Sequence, residues 1–236
     1  MIITTSFDET AGLVEKAKAL AKKYQLTYVK RNKKTIKYLQ KNVDPNVFVV
    51  NSKRGLSYYP AEGEEVFFHP NMAFHRITAV ENLKKDGLVT ACNLHEGSTL
   101  LDCTLGLASD TLLASFVVGE SGRVISIEKS IPLSILVREG LNHYVRIEKP
   151  EWGALLERIQ IVNEDNLTYL KSLPDNHVDV VYFDFMFNKT VESSQGIKVI
   201  KPLVSYDCLT FEHVLEARRV AKSRVVVKSN YGNQSI

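Results

Sequence analysis

The stretch Thr99-Leu-Leu-Asp102-Cys-Thr-Leu-Gly106-Leu-Ala-Ser-Asp110 decides the fold of this chain. The apolar residues at its start predict a buried strand, and the glycine predicts a turn that leads into a helix near Asp110. A glycine at such a turn lets another molecule approach the backbone closely. The pattern therefore indicates a ligand-binding turn between a strand and a helix.

The acidic residues beside this turn indicate the class of ligand. One glycine flanked by Asp102 and Asp110 suits a neutral or cationic nucleoside better than the pyrophosphate of a dinucleotide, which requires several glycines and exposed N–H groups. S-adenosylmethionine fits this description, because its sulfonium and amino groups are cationic. Carboxylates at strand ends also occur as plain helix caps, so the turn by itself leaves the ligand open.

Short apolar strands alternate with helices from residue 99 onward. The strands are expected at Thr99–Leu105, Arg123–Glu128, Arg158–Val162, Val178–Asp184 and Arg224–Lys228. The helices are expected at 110–118, 131–142, 165–172 and 206–221. This order predicts an α/β fold with a mostly parallel, Rossmann-like sheet and helices on both faces.

Further acidic residues stand at the carboxyl ends of these strands, where parallel sheets bind their ligands. Glu128 closes the second strand about 20 residues beyond Gly106, the place of the residue that binds ribose hydroxyls in dinucleotide sites. Asp165 follows the third strand, where it would either accept the adenine amino group or simply cap a helix. Asp184 closes the fourth strand. We expect these carboxylates to face one crevice.

Residues 1–78 form a basic segment ahead of residues 79–236. The segment has 13 Lys and Arg against 7 Asp and Glu, whereas the chain as a whole has a net charge of +3. Its pattern predicts a small α+β module: a helix that starts at a capping box in Ser6–Glu9, a strand at Leu26–Val29, a helix at Lys33–Lys41, and strands at 48–50, 56–59 and 66–68.

A basic stripe is expected on the second of these helices. Its members recur at helical spacing beside Arg31, with Tyr28 and Tyr38 nearby: Lys30, Lys33, Lys34, Lys37 and Lys41. Such a stripe neutralises phosphates without reading sequence, which indicates RNA as a partner. A solvated helix face that only adds solubility explains the same charges.

Several motifs together resemble the class I S-adenosylmethionine-dependent methyltransferases. They are Asp-x-Thr-x-Gly-x-x-x-Asp at 102–110, the acidic end of the second strand, and Tyr182-Phe-Asp-Phe-Met-Phe187. More narrowly, the chain resembles the small-subunit ribosomal RNA guanine-N2 methyltransferases of the YhiQ/RsmJ type. The segments that carry this resemblance are Phe68–Ile77, Ser109-Asp110, Ile127–Lys129, Val181–Phe187 and Arg224–Lys228.

The resemblance implies methyl transfer from S-adenosylmethionine to guanine N2 of ribosomal RNA. Together with the turn residues Asp102 and Gly106, the residues implied for the cofactor site are Ser109, Asp110, Glu128, Lys129, Asp165, Asn166 and Asp184. Asp184 is also the candidate catalytic residue, because a carboxylate can orient the amine and take its proton. Phe185, Phe187 and Lys228 are candidates for substrate binding, although one of the two phenylalanines is expected in the core.

The chain departs from that family directly after Asp184. The family has proline there and again three residues later, where this chain has Phe185 and Asn188. Three functions therefore stay open: an RNA base methyltransferase, a methyltransferase of a protein carboxylate or small molecule, and a non-catalytic domain that keeps the cofactor pocket. The basic module favours the first, and Phe185 favours the other two. A long loop after Asp184, with Lys189, Lys198 and Lys201, suits a substrate cover.

Other features of the sequence exclude several classes. No apolar run approaches the roughly 20 residues of a membrane span, and residues 1–6 lack the pattern of a secretory signal. Cys92, Cys103 and Cys208 have neither disulfide nor metal-ligand spacing, so we expect reduced thiols, no bound metal and a cytoplasmic protein. Class I sheets usually end in an antiparallel pair, and we expect those closing strands to be missing or abbreviated after Lys228.

Overall fold

The strands of this chain form two separate sheets. The computed structural model describes residues 1–185, 203 and 208–228, and within these residues each sheet has five strands. The described chain also divides into two compact units. One consists of Met1–His69, Ile135–Lys149 and residue 203, and the other contains residues 70–134, 150–185 and 208–228.

This division differs from the expected division at residue 78 in two segments. Residues 70–78 belong to the second unit, and Ile135–Lys149 belongs to the first. Contacts distant in sequence explain the latter: the Tyr24 hydroxyl donates to the Glu139 carboxylate at 2.5 Å, and Gly140 packs so tightly on Phe68 that a Cβ would overlap its ring. Helical periodicity gives no hint of such partners. The assignment of functional domains stays a prediction.

The sheet of the first unit is mixed and has the order β2-β1-β3-β4-β5. Its strands are Ile2–Thr5, Thr27–Tyr28, Val47–Asn51, Gly55–Tyr59 and Val66–Phe67. β1 is parallel to β2 and β3, while β3, β4 and β5 are antiparallel. The last four strands match the prediction, and β1 is an addition whose four residues are all buried.

The predicted capping box at Ser6 is wrong. Helix α1 spans Ala11–Tyr24, and the Thr10 hydroxyl caps it by accepting the Leu13 N–H at 3.3 Å. Ser6 instead donates its backbone N–H to the Val50 carbonyl at 2.9 Å, so it continues the pairing of β1 with β3. The sheet partner, which is distant in sequence, therefore overrides the local capping pattern.

The predicted basic helical stripe is also wrong for its first half. Helix α2 spans Ile36–Asn42 and begins at Thr35, whose hydroxyl accepts the Tyr38 N–H. Asn32 and Lys33 adopt left-handed backbone conformations, with φ of +46° and +56°. This turn ends any helical continuation toward Lys30, and Arg31 is buried rather than aligned with the lysines.

The second sheet is entirely parallel and has the order β10-β9-β6-β7-β8. Its strands are Thr99–Asp102 (β6), Arg123–Ile127 (β7), Ile159–Val162 (β8), Val178–Phe183 (β9) and Ala221–Val227 (β10). The predicted Rossmann-like parallel sheet is confirmed. The strand order reverses between β6 and β9, which is where open parallel sheets bind their ligands.

Further helices follow from residue 71 onward, and the helix that contains Ile135 continues from the second unit into the first. The elements are Asn71–Glu81 (α3), Gly87–Cys92 (α4), Ser109–Val118 (α5), Ile131–Ile147 (α6), Gly153–Glu157 (α7), Asn166–Ser172 (α8) and Phe211–Val220 (α9). A short 3₁₀ turn, Pro150–Trp152, precedes α7. The short α4 and α7 were not predicted, because each has too few residues for a helical period to show.

The core beside β9 contains Phe185, which contradicts its predicted role in stacking on a substrate base. Phe185 is 5% exposed and lies parallel to the Phe183 ring at 5.4 Å. It belongs to the same buried cluster as Leu101, Ile125 and Ala217. Phe187, the lysines of the loop after Asp184 and the residues after Lys228 lie outside the described residues. Among the residues that the structure describes, no helix is long and apolar enough to span a bilayer.

Candidate active site

Asp102, the last residue of β6, shapes the turn that follows it. Its side chain is fully buried. One carboxylate oxygen accepts the Thr104 backbone N–H at 3.0 Å, and the other accepts the Thr111 hydroxyl at 2.7 Å. Burial raises the pKa of Asp102 to about 7, although the Thr111 hydrogen bond opposes this rise. Because both oxygens have partners inside the protein, Asp102 holds the turn in place.

Gly106 stands in this turn with a left-handed backbone conformation, φ +50°. A Cβ built at Gly106 would come no closer than 3.9 Å to the Thr104 carbonyl oxygen. The glycine is therefore required by its φ angle rather than by lack of space. Its N–H hydrogen-bonds to the carboxylate of Glu128.

Glu128 follows β7 and lies against the turn. Its side chain accepts the Ser130 N–H at 2.8 Å as well as the Gly106 N–H. Only 8% of the residue is exposed. Burial raises the pKa of Glu128 to about 7, while the two backbone hydrogen bonds lower it. The structure thus holds this carboxylate at a fixed place beside the glycine.

Asp184 follows β9 and is attached to the same turn. Its backbone N–H donates to the Thr104 hydroxyl oxygen at 2.7 Å. Its carboxylate pairs with the Lys228 ammonium at 2.6 Å, and 35% of the side chain remains exposed. Burial raises the pKa of Asp184, and the Lys228 hydrogen bond and charge lower it. Asp184 is thus a fixed, solvent-accessible carboxylate beside the turn.

Asp110, in the first turn of α5, has partners on both oxygens. One pairs with the Arg76 guanidinium, and the other accepts the Tyr182 hydroxyl at 2.9 Å. Arg76 also holds Asp86 with two hydrogen bonds of 2.9 and 3.0 Å. Lys228 lies 3.6 Å from Asp110. The network has three carboxylates and only two cations, which leaves one excess negative charge at the crevice. Its members are Asp86, Asp110, Asp184, Arg76 and Lys228.

Asn166 and Asp165 begin α8 near the same turn. The Asn166 amide donates to the Cys103 carbonyl at 3.1 Å, and its oxygen contacts His213 Nε2 at 3.0 Å. Asp165 caps α8 by accepting the Thr168 N–H at 3.0 Å. Its other oxygen pairs with Lys129 at 3.1 Å. The helix-cap interpretation of Asp165 therefore matches the geometry, and Lys129 is held by the cap.

The structure brings the predicted strand-end residues together around one turn. Glu128, Asn166 and Asp184 each hydrogen-bond to a residue of segment 103–106. Ser109 and Asp110 begin α5 directly after it, and the N-terminus of this helix has no side-chain cap. Ala108, at φ +60°, forms the junction.

Four residues of this site were missed by the sequence analysis: Arg76, Thr104, Tyr182 and His213. Three of them lie in quoted motifs, since Arg76 is in Phe68–Ile77, Thr104 is in the turn motif, and Tyr182 precedes Asp184 by two residues. Their presence in those motifs was the available signal. His213, which is 7% exposed and packs edge-on against Phe185, carried no such signal.

A family model described as "Putative SAM-dependent methyltransferase" matches residues 20–236. The chain belongs to this family. It is therefore an S-adenosylmethionine-dependent methyltransferase, and S-adenosylmethionine is its cofactor.

Relatives and a solved structure agree with this assignment. "Uncharacterized protein YpiP" of Bacillus subtilis (strain 168) is 42% identical over 98% of this chain and 89% of its own length. "Ribosomal RNA small subunit methyltransferase J" of Acinetobacter baumannii (strain SDF) is 33% identical over 62% of this chain, which spans 56% of that relative. The chain thus matches about half the length of this methyltransferase. The SAM-dependent methyltransferase NGO1261 of Neisseria gonorrhoeae shares the fold with a TM-score of 0.60 and 18% sequence identity. The match covers 96% of this chain and 84% of that protein's chain.

The donors of the site fit this methyltransferase's cofactor. The crevice is rich in carboxylates, and Glu128 is buried against a glycine turn. The uncapped N-terminus of α5 offers N–H groups to an anion such as an amino acid carboxylate. A cationic nucleoside with an amino acid end needs this combination of charges. No cluster of metal-ligating side chains is found in the part of the chain that the structure describes.

Proposed function

We propose that this methyltransferase acts on an exocyclic amine of ribosomal RNA, most specifically guanine N2. The observation that carries this proposal is the position of Asp184. Its carboxylate is partly exposed to solvent, and its backbone N–H is hydrogen-bonded to Thr104 in the turn that contains Gly106. The relatives named as ribosomal RNA small subunit methyltransferase J support an RNA target. One of them, from Psychrobacter cryohalolentis, is 26% identical over 95% of this chain and 80% of its own length.

The proposed cofactor site divides into residues that face the ligand and residues that support them. Glu128 would accept the ribose hydroxyls, as acidic residues at this position do in related sheets. Ser109, Asp110 and the N-terminus of α5 would bind the amino acid end, and Asp184 would line the methyl-bearing side. The residues that would support them through hydrogen bonds and ion pairs within the protein are Asp102, Gly106, Lys129, Asp165 and Asn166.

Asp184 has two tasks in the proposed reaction. Bound S-adenosylmethionine supplies a methyl group on a cationic sulfur, which leaves with the electrons of the broken C–S bond. The guanine amine is a poor nucleophile because its lone pair is delocalised into the ring. A carboxylate that accepts one of its N–H groups orients the amine and takes the proton released when the N–C bond forms. Lys228 favours the ionised form of Asp184 that this role requires, because its charge and hydrogen bond lower a pKa that burial raises.

Phe185 offers a physical substitute for the family's proline after Asp184. A proline would restrict the backbone through its ring. Phe185 instead packs against Phe183 and His213 inside the core, with 5% of its surface exposed. This anchor limits the freedom of the backbone at Phe185, the residue directly after Asp184. The replacement is therefore compatible with a fixed catalytic carboxylate.

Methyl transfer to RNA tests this proposal directly. The protein is incubated with tritiated S-adenosylmethionine and small-subunit ribosomal RNA from a strain that lacks the modification. We expect label in guanosine N2 with the wild type, and a decrease of at least 100-fold with Asp184→Asn. Asp175→Asn is the matched control, because Asp175 precedes the same strand and 70% of its side chain is exposed; it should retain activity.

The other outcomes decide between the open alternatives. Label in protein or in a small molecule, with none in RNA, would refute the RNA target and keep the methyltransferase assignment. Binding of S-adenosylhomocysteine without transfer to any substrate would indicate a domain that has lost catalysis. Equal activity of the Asp184→Asn and Asp175→Asn variants would remove Asp184 from the reaction.

A further inference from the structure

The first unit contains a cavity that the methyltransferase reaction does not use. Its volume is about 350 Å³, within the range of small-molecule pockets, roughly 300–1,000 Å³. The lining residues with polar or aromatic side chains include Ser6, Phe7, Arg31, Lys53, Arg54 and Tyr59. All of them belong to the first unit, and none is among the residues of the candidate active site, which belong to the second unit.

Arg31 is the unusual residue of this cavity. Only 3% of it is exposed, and its Nε and Nη1 atoms are buried without any hydrogen-bond partner among the described residues. A buried donor that has lost its water and gained no acceptor costs free energy, and more so on a charged group. Burial also lowers the pKa of Arg31. A ligand with several acceptor oxygens would remove this cost.

The surroundings of Arg31 indicate the charge of that ligand. The Arg31 guanidinium carbon lies over the Phe7 ring, 4.5 Å from its centre, and this contact uses no N–H group of Nε or Nη1 as a hydrogen-bond donor. Arg54 is already paired with Glu65 at 2.9 Å. Lys53 is exposed, and its ammonium has no carboxylate partner in the described part of the chain. Arg31 and Lys53 are therefore two cations in this cavity that can bind an anion.

Phe7 indicates what the anion is attached to. It remains 58% exposed although it contacts Arg31. An exposed aromatic ring next to a free guanidinium is the combination that binds a nucleotide, because the base stacks on the ring while the phosphate meets the cation. A ligand that has a carboxylate but no base would leave the Phe7 ring exposed.

We propose that this cavity binds the phosphate of a nucleotide through Arg31 and Lys53, with the base on Phe7. Two sources share this chemistry: a free mononucleotide, and one nucleotide of an RNA strand. The RNA source rests on the proposed function, whereas the phosphate site does not. If RNA is the source, the first unit binds the RNA backbone in this cavity rather than along a helical stripe of lysines.

The first experiment observes Arg31 itself in the full-length wild-type chain. Arginine side-chain Nε–H signals are recorded by ¹⁵N NMR, and the Arg31 signal is assigned as the one absent from Arg31→Lys. We expect titration with adenosine 5′-monophosphate to shift this signal, and an equal concentration of adenosine to leave it in place. An Arg31 signal that stays unchanged at 10 mM nucleotide would overturn the proposal.

The second experiment separates the two sources with a fluorescent single-stranded RNA. Binding is followed by anisotropy over a range of salt concentrations for the wild type, Arg31→Gln and Lys22→Gln. Lys22→Gln, on the exposed side of α1, removes one charge from the same unit. If RNA is the source, Arg31→Gln weakens binding at least tenfold and reduces the slope of log Kd against log salt by about one. Equal loss in both variants would refute the RNA source, while the AMP titration still decides the phosphate site.

Neither readout depends on methyl transfer. An Asp184→Asn protein should lose activity and still show the Arg31 shift, so failure of the proposed reaction and failure of this site are distinguishable. Circular dichroism and thermal unfolding of the Arg31 variants monitor folding. The wild-type titration remains valid even if those variants are unstable, with the Arg31 signal then assigned by sequential NMR.

Discussion

Replacement of Glu128 by glutamine should stabilise the ligand-free protein at alkaline pH and at the same time weaken cofactor binding. Burial raises the pKa of Glu128 from 4.5 to about 7. At about 1.4 kcal/mol per pKa unit, ionisation favours the unfolded state by roughly 3 kcal/mol above pH 7. Glutamine removes this penalty, but the amide loses one of the two acceptor contacts to backbone N–H groups, which costs about 1 kcal/mol.

The sign of the pH dependence follows from the direction of the shift. Because the folded pKa is raised, the contribution of Glu128 to stability is fully present below pH 4.5 and is lost as the pH rises through 7. At pH 8 we therefore expect Glu128→Gln to be more stable than the wild type by about 2 kcal/mol, or 4–8 °C in Tm. At pH 5 the advantage should vanish.

Two measurements on each variant check this reasoning. Thermal unfolding at pH 5 and pH 8 gives the stability difference, and calorimetry at pH 8 gives the Kd of S-adenosylhomocysteine. The loss of charged acceptors for the ribose should raise Kd by about 10- to 100-fold. Glu120→Gln, an exposed residue ahead of the same strand, is the control and should change neither quantity. A Glu128→Gln protein that is equally destabilised at both pH values would refute the assignment of burial as the cause.

Three further predictions concern neighbouring residues. Lys228→Gln should move the acidic limb of the pH–rate profile of methyl transfer to higher pH, because the lysine lowers the pKa of Asp184 and the base must be ionised; an unchanged limb would contradict the role of Asp184 as base. Arg76→Gln should lower the free energy of unfolding in urea by about 3 kcal/mol, since two carboxylates lose their partner; a loss below 1 kcal/mol would mean that the network is not stabilising. Phe185→Ala should lower the free energy of unfolding in urea by about 3–4 kcal/mol, because the side chain is buried. A much smaller loss of stability together with a raised KM for RNA would instead support a role of Phe185 in base stacking.

The sequence was sufficient to predict the second sheet because its strands are short, contain apolar runs and alternate with helices along the chain. The same pattern marks the strand ends, so the sequence alone predicts that Glu128 and Asp184 lie beside the turn. Contacts that join distant segments were not predictable. The partner of Asp110 is Arg76, which comes from a separate helix, and His213 reaches Asn166 from α9.

The errors in the first unit have the same origin. The Ser6 capping pattern fails because Ser6 continues a strand whose partner, Val50, is far along the chain. The lysine periodicity fails because Thr35 is the better cap and two residues before it adopt left-handed conformations. Local residue spacing predicts an element correctly only where the same backbone segment does not pair with a strand that is distant in sequence.

The charge balance of the Asp86–Asp110–Asp184 network has a consequence for turnover. Methyl transfer converts a sulfonium into a neutral thioether, so the spent cofactor carries one positive charge less than the incoming one. A crevice with surplus anionic character attracts the fresh molecule more strongly than the used one. The negative charge of this network therefore holds the by-product less tightly than the methyl donor, and added salt should narrow the difference in affinity between the two.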